Sequence, residues 1–236
     1  MAILAIARES VIRGLLPVIT VYKQMNVHSL LAIAGMAGPL LLATTDLTTA
    51  SLTPGYNLIR DSISALALTP TGWLVTIGFM FIGLLVEIFT AGLFFNIKGA
   101  WGFRFSIGLL VLFGFAMLLI GAFRADPVGA ARTIEGRIHG MTATSAFWIF
   151  PVAMATIAPS LRKDSHWKNI FRYTLVAGIL GVAMIIMVWI YQKDVNWFGL
   201  VERVLVANMI IWVEVTAIKL LLLSLKRGRP AVNKAD

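Results

Sequence analysis

No cysteine occurs in the 236 residues. That excludes thiol nucleophiles, thiolate-held metals and disulfides, and it leaves the compartment open. Charge is scarce too: 13% of the residues are charged, against about a quarter in a soluble domain. So few charges cannot cover a water-exposed surface of this size, and the chain reads as a membrane protein. Histidine is limited to His28, His139 and His166. There is no H-E-x-x-H, no G-x-S-x-G and no P-loop, so no familiar metalloprotease, esterase or nucleotide-binding signature is available. The stretch "MAILAIARESVIRGLLPVITVYKQMN" lacks a clean apolar core and a small-residue cleavage site, so a removable signal peptide is not expected.

Apolar sequence dominates what is present: 59% of residues are hydrophobic and the mean hydropathy is +0.87. Six runs are long enough to cross a hydrocarbon core, which takes about 20 helical residues. They fall near His28–Thr45, Thr71–Phe95, Phe105–Phe123, Met141–Leu161, Phe171–Tyr191 and Val204–Leu225. Continuous apolar runs favour helices, which satisfy their own backbone groups in lipid. The expected fold is therefore all-α, a polytopic six-transmembrane-helix bundle with a short amphipathic outer helix between spans 1 and 2. Residues 1–27 read as a cytoplasmic or interfacial segment, 28–225 as the membrane domain and 226–236 as a basic cytoplasmic tail.

The net charge of +9 is an orientation signal and not a nucleic-acid one. Arg8, Arg13, Lys23, Lys98, Arg104, Arg162, Lys163, Lys168, Arg172, Lys226, Arg227, Arg229 and Lys234 lie on one side of the predicted spans. The other side carries Arg60, Arg124, Arg132, Arg137, Lys193 and Arg203, balanced by Asp46, Asp61, Asp126, Glu135, Asp194 and Glu202. The positive-inside rule then predicts both termini in the cytoplasm and a multi-pass protein of the cytoplasmic membrane. Membrane lipids are the expected partners, and nucleic acid is not. Trp73, Trp101, Trp167, Trp189 and Trp197 fall where an aromatic belt would sit. Gly78, Gly83, Gly114, Gly121, Gly178 and Gly181 are small positions at which helices can approach. Pro39 and Pro151 predict kinks.

Polar chemistry concentrates in the outer connections. In "PGYNLIRDSISALALTPTGW", Asn57, Arg60, Asp61 and Ser64 fall on one helical face and Ile59, Ile63 and Leu66 on another. The spacing predicts an amphipathic helix of about three turns, too short to span. Its polar face either meets water or lines an outward-facing site, aimed at Asp126 and His139. In "FRADPVGAARTIEGRIHG", Arg124, Asp126, Arg132, Glu135, Arg137 and His139 suggest an ion-pair network or an anion site for a lipid phosphate. Glu202 and Arg203 sit at the mouth of the last span and can join it. Weak catalytic candidates are His139, Asp126 and Ser64. A mixed metal site from His139, Asp61, Asp126 and Glu135 is conceivable, while the identity of any metal or cofactor stays open. Two acids, Glu87 and Glu214, lie inside spans, where an ionised carboxylate is costly unless paired or protonated. They either handle protons or are neutral hydrogen-bonded groups.

The elements "PGYNLIRDSISALAL" with "GW", "GAFRADP" with "RIHG", and "GLVERV" together resemble the prokaryotic six-helix membrane-protein family catalogued as domain of unknown function 998, from about Ala32 to Leu223. The residues carrying the resemblance are Pro54, Gly55, Tyr56, Ser62, Ser64, Asp126, Pro127, His139, Glu202 and Arg203. The resemblance implies six spans and no particular activity. The favoured functional reading is a non-catalytic binding protein with an outward-facing polar site for a lipid headgroup or small charged ligand, built from Arg60, Asp61, Ser64, Arg124, Asp126, Arg132, Arg137, His139, Glu202 and Arg203. The alternatives are a proton-coupled transporter using Glu87 and Glu214, and a membrane-embedded hydrolase or metalloenzyme centred on His139.

Overall fold

A computed structural model describes residues 26–191 and 196–227. The expected N-terminal interfacial segment, Lys193 and Asp194, and the basic tail beyond Arg227 lie outside the described residues. The described chain is helical, with α1 Val27–Ser51, α2 Ile63–Leu66, α3 Trp73–Asn96, α4 Phe103–Ala122, α5 Ile134–Lys163, α6 Phe171–Tyr191 after a 3-10 turn at Lys168–Ile170, and α7 Phe198–Arg227. All but α2 are long and apolar enough to cross a membrane, which makes this a multi-pass membrane protein. The spans run up and down, each packing on its predecessor, and α7 closes the ring against α1. The end holding the 52–72 segment is called distal, and the end where α1 starts and α7 stops proximal.

Several helices overrun their apolar runs, and specific polar contacts accompany each extension. α1 continues past Thr45 to Ser51, and the hydroxyls of Thr49 and Thr53 satisfy themselves on the carbonyls of Thr45 (2.7 Å) and Thr49 (2.8 Å). The charge of Asp46 is met by Arg203, so it does not end the span. α5 begins before Met141 because Thr133 caps it, its hydroxyl accepting from Gly136 N–H at 3.0 Å, one of the donors an α-helix start leaves unpaired. At the other end of α1, Asn26 and Ser29 form a reciprocal capping box, and the Ser29 and Ser224 hydroxyls meet at 2.9 Å. Pro39, Pro151 and Pro159 lie within helices that run on through them.

Small residues set the helix spacing. A methyl group on Gly83 would stand 2.6 Å from the Gly114 carbonyl oxygen, and one on Gly114 2.9 Å from that of Gly83, so α3 and α4 touch backbone to backbone. Pro151 of α5 fills a notch at Gly178 and Gly181 of α6. Between these contacts Phe150 meets Phe113 and Trp212 edge-on, with ring centroids 4.5 and 5.6 Å apart. That ties α4, α5 and α7 into one core.

The proximal end is pinned by polar contacts. Asp164 accepts from Lys98 N–H and His166 N–H, both at 2.9 Å. Burial works to raise its carboxyl, but these two N–H groups hold it below the usual range. Trp167 is fully buried and donates its indole N–H to Asn96 O at 3.1 Å. It is therefore no part of an interfacial belt, whereas Trp73, Trp101, Trp189 and Trp197 are exposed. The expectation erred because an indole beside a span end is equally suited to closing a loop.

Gly83→Ala should lower thermal stability in detergent, by about 1–3 kcal/mol for overpacking, because backbone and not a flexible side chain must move. Gly108→Ala, which meets nothing within 4 Å, should leave the melting temperature unchanged or slightly raised.

Candidate functional site

The distal mouth is organised by Arg203, in the second turn of α7. Its guanidinium clasps Asp46 of α1 through two oxygens, at 3.2 and 3.0 Å. Nη1 donates to the carbonyls of Leu58 (2.9 Å), Asp61 (2.8 Å) and Gly199 (3.3 Å). Nη2 also donates to the Tyr56 hydroxyl, and the guanidinium lies 5.5 Å from the centre of that ring. Tyr56 in turn donates to the carbonyls of Asp61 (3.0 Å) and Ser62 (2.8 Å). Burial pushes the Tyr56 hydroxyl up to about 12, against the neighbouring guanidinium that favours its anion. The phenol therefore stays protonated and remains a donor.

These bonds replace most of the three-turn amphipathic helix expected in this segment. Only Ile63–Leu66 is helical, capped by Ser62 accepting from Ala65 N–H at 3.2 Å. Residues 57–61 turn instead, because Asn57 and Asp61 spend their side chains on local backbone N–H groups, the competition that makes Asn and Asp poor helix-interior residues. Arg60 pairs with its neighbour Asp61 at 2.7 Å on the surface. Hydrogen bonds from Arg60 hold the Asp61 carboxyl below its ordinary range, against partial burial. Arg60 and Asp61 thus close on each other and do not reach Asp126 or His139.

Ser64 does reach. His139, 4% exposed, lies 2.9 Å from the Phe123 carbonyl through Nδ1 and 3.0 Å from Ser64 Oγ through Nε2. A carbonyl only accepts, so in the neutral ring Nδ1 carries the hydrogen and Nε2 accepts from the serine hydroxyl. Glu202, 6% exposed, accepts from Ile63 N–H at 2.8 Å and so holds the turn that presents Ser64. Ser64, His139 and Glu202 line a groove of about 420 Å³ between α5, α6 and α7, walled by Phe147, Ile185, Val188 and Trp189. On the core side Ser64 and Glu202 also border a mostly apolar cavity of about 50 Å³, with Leu42, Phe79, Ile82 and Phe113.

The expected ion-pair network around Asp126 does not form. Asp126 accepts from Thr133 N–H at 3.0 Å and Thr133 Oγ1 at 2.7 Å, which uses both its oxygens to hold the entrance to α5. Arg124, Arg132, Glu135 and Arg137 are exposed, with no ion pair among the described residues. Arg132 and Arg137 border a second surface groove with Asp126, and His139, Gly140 and Thr144 line both this groove and the first. No three His, Asp or Glu side chains converge as a metal site among the described residues, so His139, Asp61, Asp126 and Glu135 are not assembled into one. Glu87 packs against Gly114 of α4. Glu214 Oε2 is buried without a partner among the described residues. Neither acid lines the grooves or the core cavity just described.

Residues 36–219 match the family model described as protein of unknown function (DUF998). The chain belongs to the DUF998 family. No curated protein and no solved structure matches it significantly. The matched range of this DUF998 protein takes in the whole distal cluster, from Asp46 to Arg203.

Two members of that cluster escaped the sequence reading: Asp46 figured only as balancing charge and Tyr56 only as part of a motif. The signal for Asp46 was present, since an acid flanked by apolar helix needs a partner at its own depth. Which arginine supplies it is a matter of tertiary contact.

Arg203→Ala should strand a buried carboxylate and three carbonyls, costing about 3–5 kcal/mol, read as a lower unfolding temperature in detergent. Arg203→Lys should recover little, since an ammonium cannot clasp the carboxylate bidentately and reach the carbonyls. Asp46→Ala combined with Arg203→Ala should be less damaging than the two single losses summed.

Proposed function

We propose that this protein is a multi-pass protein of the cytoplasmic membrane, both termini inside, whose distal site binds the headgroup of an anionic amphiphile from the outer leaflet. The observation that carries the reading is the meeting of Ser64, His139 and Glu202, from three separate elements, on a largely apolar groove between α5, α6 and α7. Such a surface suits a molecule with a polar head and an apolar body. The cationic rim supports the choice of sign: Arg132 and Arg137 are exposed beside His139, and unpaired guanidinium groups take phosphate oxygens bidentately. Arg203, by contrast, is consumed by Asp46, Tyr56 and backbone carbonyls and belongs to the scaffold. The proton-coupled alternative has less behind it, because Glu87 and Glu214 face no shared cavity among those described.

The orientation rests on the uneven distribution of Lys and Arg. Reporter fusions at the C-terminus should fluoresce as a cytoplasmic protein does and show no periplasmic phosphatase activity; the reverse pattern would overturn the topology.

For the ligand, purified protein in mild detergent would be titrated with phosphatidylglycerol and phosphatidylcholine and scored by native mass spectrometry. Phosphatidylglycerol should be retained preferentially. Arg132→Gln with Arg137→Gln should weaken that retention roughly thirtyfold, taking about 1 kcal/mol per basic residue near a lipid phosphate. Equal retention of both lipids, unaffected by the double substitution, would remove the anionic-headgroup reading.

A further inference from the structure

Ser64 and His139 are more than two polar groups in one groove. The Phe123 carbonyl fixes the hydrogen of His139 on Nδ1, which turns the basic lone pair of Nε2 onto the Ser64 hydroxyl at 3.0 Å. A hydroxyl donating to an imidazole that a third group orients is the arrangement that activates a serine nucleophile. Ser64 also stands on the wall between two spaces of different size. The groove on one side holds about 420 Å³, and the apolar cavity on the other about 50 Å³. By the space a single water requires, the smaller one accepts a few waters or an acyl group of about two to four carbons.

We infer that Ser64 is the nucleophile, and His139 the general base, of an acyl transfer from a short-chain ester of an amphiphilic alcohol. This deepens the proposed binding function and rests on it, because the groove that takes the amphiphile also delivers the ester. Ser64 Oγ attacks the ester carbonyl carbon while its proton passes to His139 Nε2. The tetrahedral adduct collapses with cleavage of the bond to the alcohol oxygen, and His139 returns the proton to that oxygen. Water then attacks acyl-Ser64, gives a proton to His139 and releases the carboxylic acid, and His139 returns that proton to Ser64 Oγ. The Ser64 backbone N–H makes no hydrogen bond to a described residue and is left to meet the carbonyl oxygen as charge develops. Glu202 is a positioning residue: it holds Ile63 N–H and with it the turn that bears Ser64.

The test uses the full-length protein in detergent with a fluorophosphonate probe, located by peptide mass spectrometry. Ser64 should carry the label, Ser64→Ala should lose it, and His139→Gln should slow labelling at least hundredfold, in the range expected for removing a general base. p-Nitrophenyl acetate should be turned over faster than the octanoate. Because the chain has no cysteine, Ser64→Cys introduces a unique thiol, and N-ethylmaleimide should alkylate it faster with His139 intact than with His139→Gln. Absence of label at Ser64 together with His139-independent alkylation overturns the proposal, as does a preference for the octanoate over the acetate for its short-chain part. Lipid retention by the unsubstituted protein separates the two readings. Retained phosphatidylglycerol with no Ser64 labelling and His139-independent alkylation removes the nucleophile alone. Labelling without retention removes the binding reading and leaves the nucleophile.

Discussion

Arg203 donates to the Asp46 carboxylate, the Tyr56 hydroxyl and the carbonyls of Leu58, Asp61 and Gly199, and the irregular segment between α1 and α3 depends on it. Non-helical backbone near a membrane is tolerated only where protein satisfies its polar groups. Here one planar group with five donors does much of that, in a way an ammonium cannot. The first turn of α7 contributes the reverse contacts, Gly199 N–H and Leu200 N–H donating to the Arg60 and Ile59 carbonyls at 3.2 and 2.9 Å. Gly199 is needed at this junction, because a methyl group there would stand 2.8 Å from the Leu58 oxygen.

The clamp bears on function through geometry. It holds residues 55–62 over the bundle mouth, Ser62 caps the single turn of α2, and Glu202 pins Ile63 from below. Ser64 is thereby delivered to His139, whose own ring is set by the end of α4. Scaffold and site share neighbours on α7: Arg203 faces the scaffold, and Glu202, one residue earlier, faces the groove. Consecutive helical residues point about 100° apart, so one helix end serves both without mixing their roles.

Much of the fold was legible because lipid imposes simple rules. Long apolar runs become helices, and small residues mark where helices touch, as Gly83, Gly114, Gly178 and Gly181 do. The ends of spans were less legible: Asp46 looked like a terminus only because its partner is distant in sequence. The helical face of Asn57, Arg60, Asp61 and Ser64 misled more, since side-chain to backbone bonding by Asn57 and Asp61 competes with helix at short range. Of the residues in that face, Ser64 alone enters the site. The charge cluster of Arg124, Asp126, Arg132, Glu135 and Arg137 suggested a network, yet Asp126 is satisfied by Thr133 and the arginines remain exposed.

By itself the sequence determined the class of the protein: an all-helical, six-span membrane chain with its mixed charges gathered at one end. Composition and the hydrocarbon thickness suffice for that, because both act on each segment separately. Which polar groups meet was decided only by tertiary structure. Asp46 and Arg203, or Ser64 and His139, lie on different elements brought together by close helix packing and by a loop folded back on α7. Hydrogen bonds have a reach of about 3 Å, so partners so far apart in sequence leave no trace in spacing or periodicity.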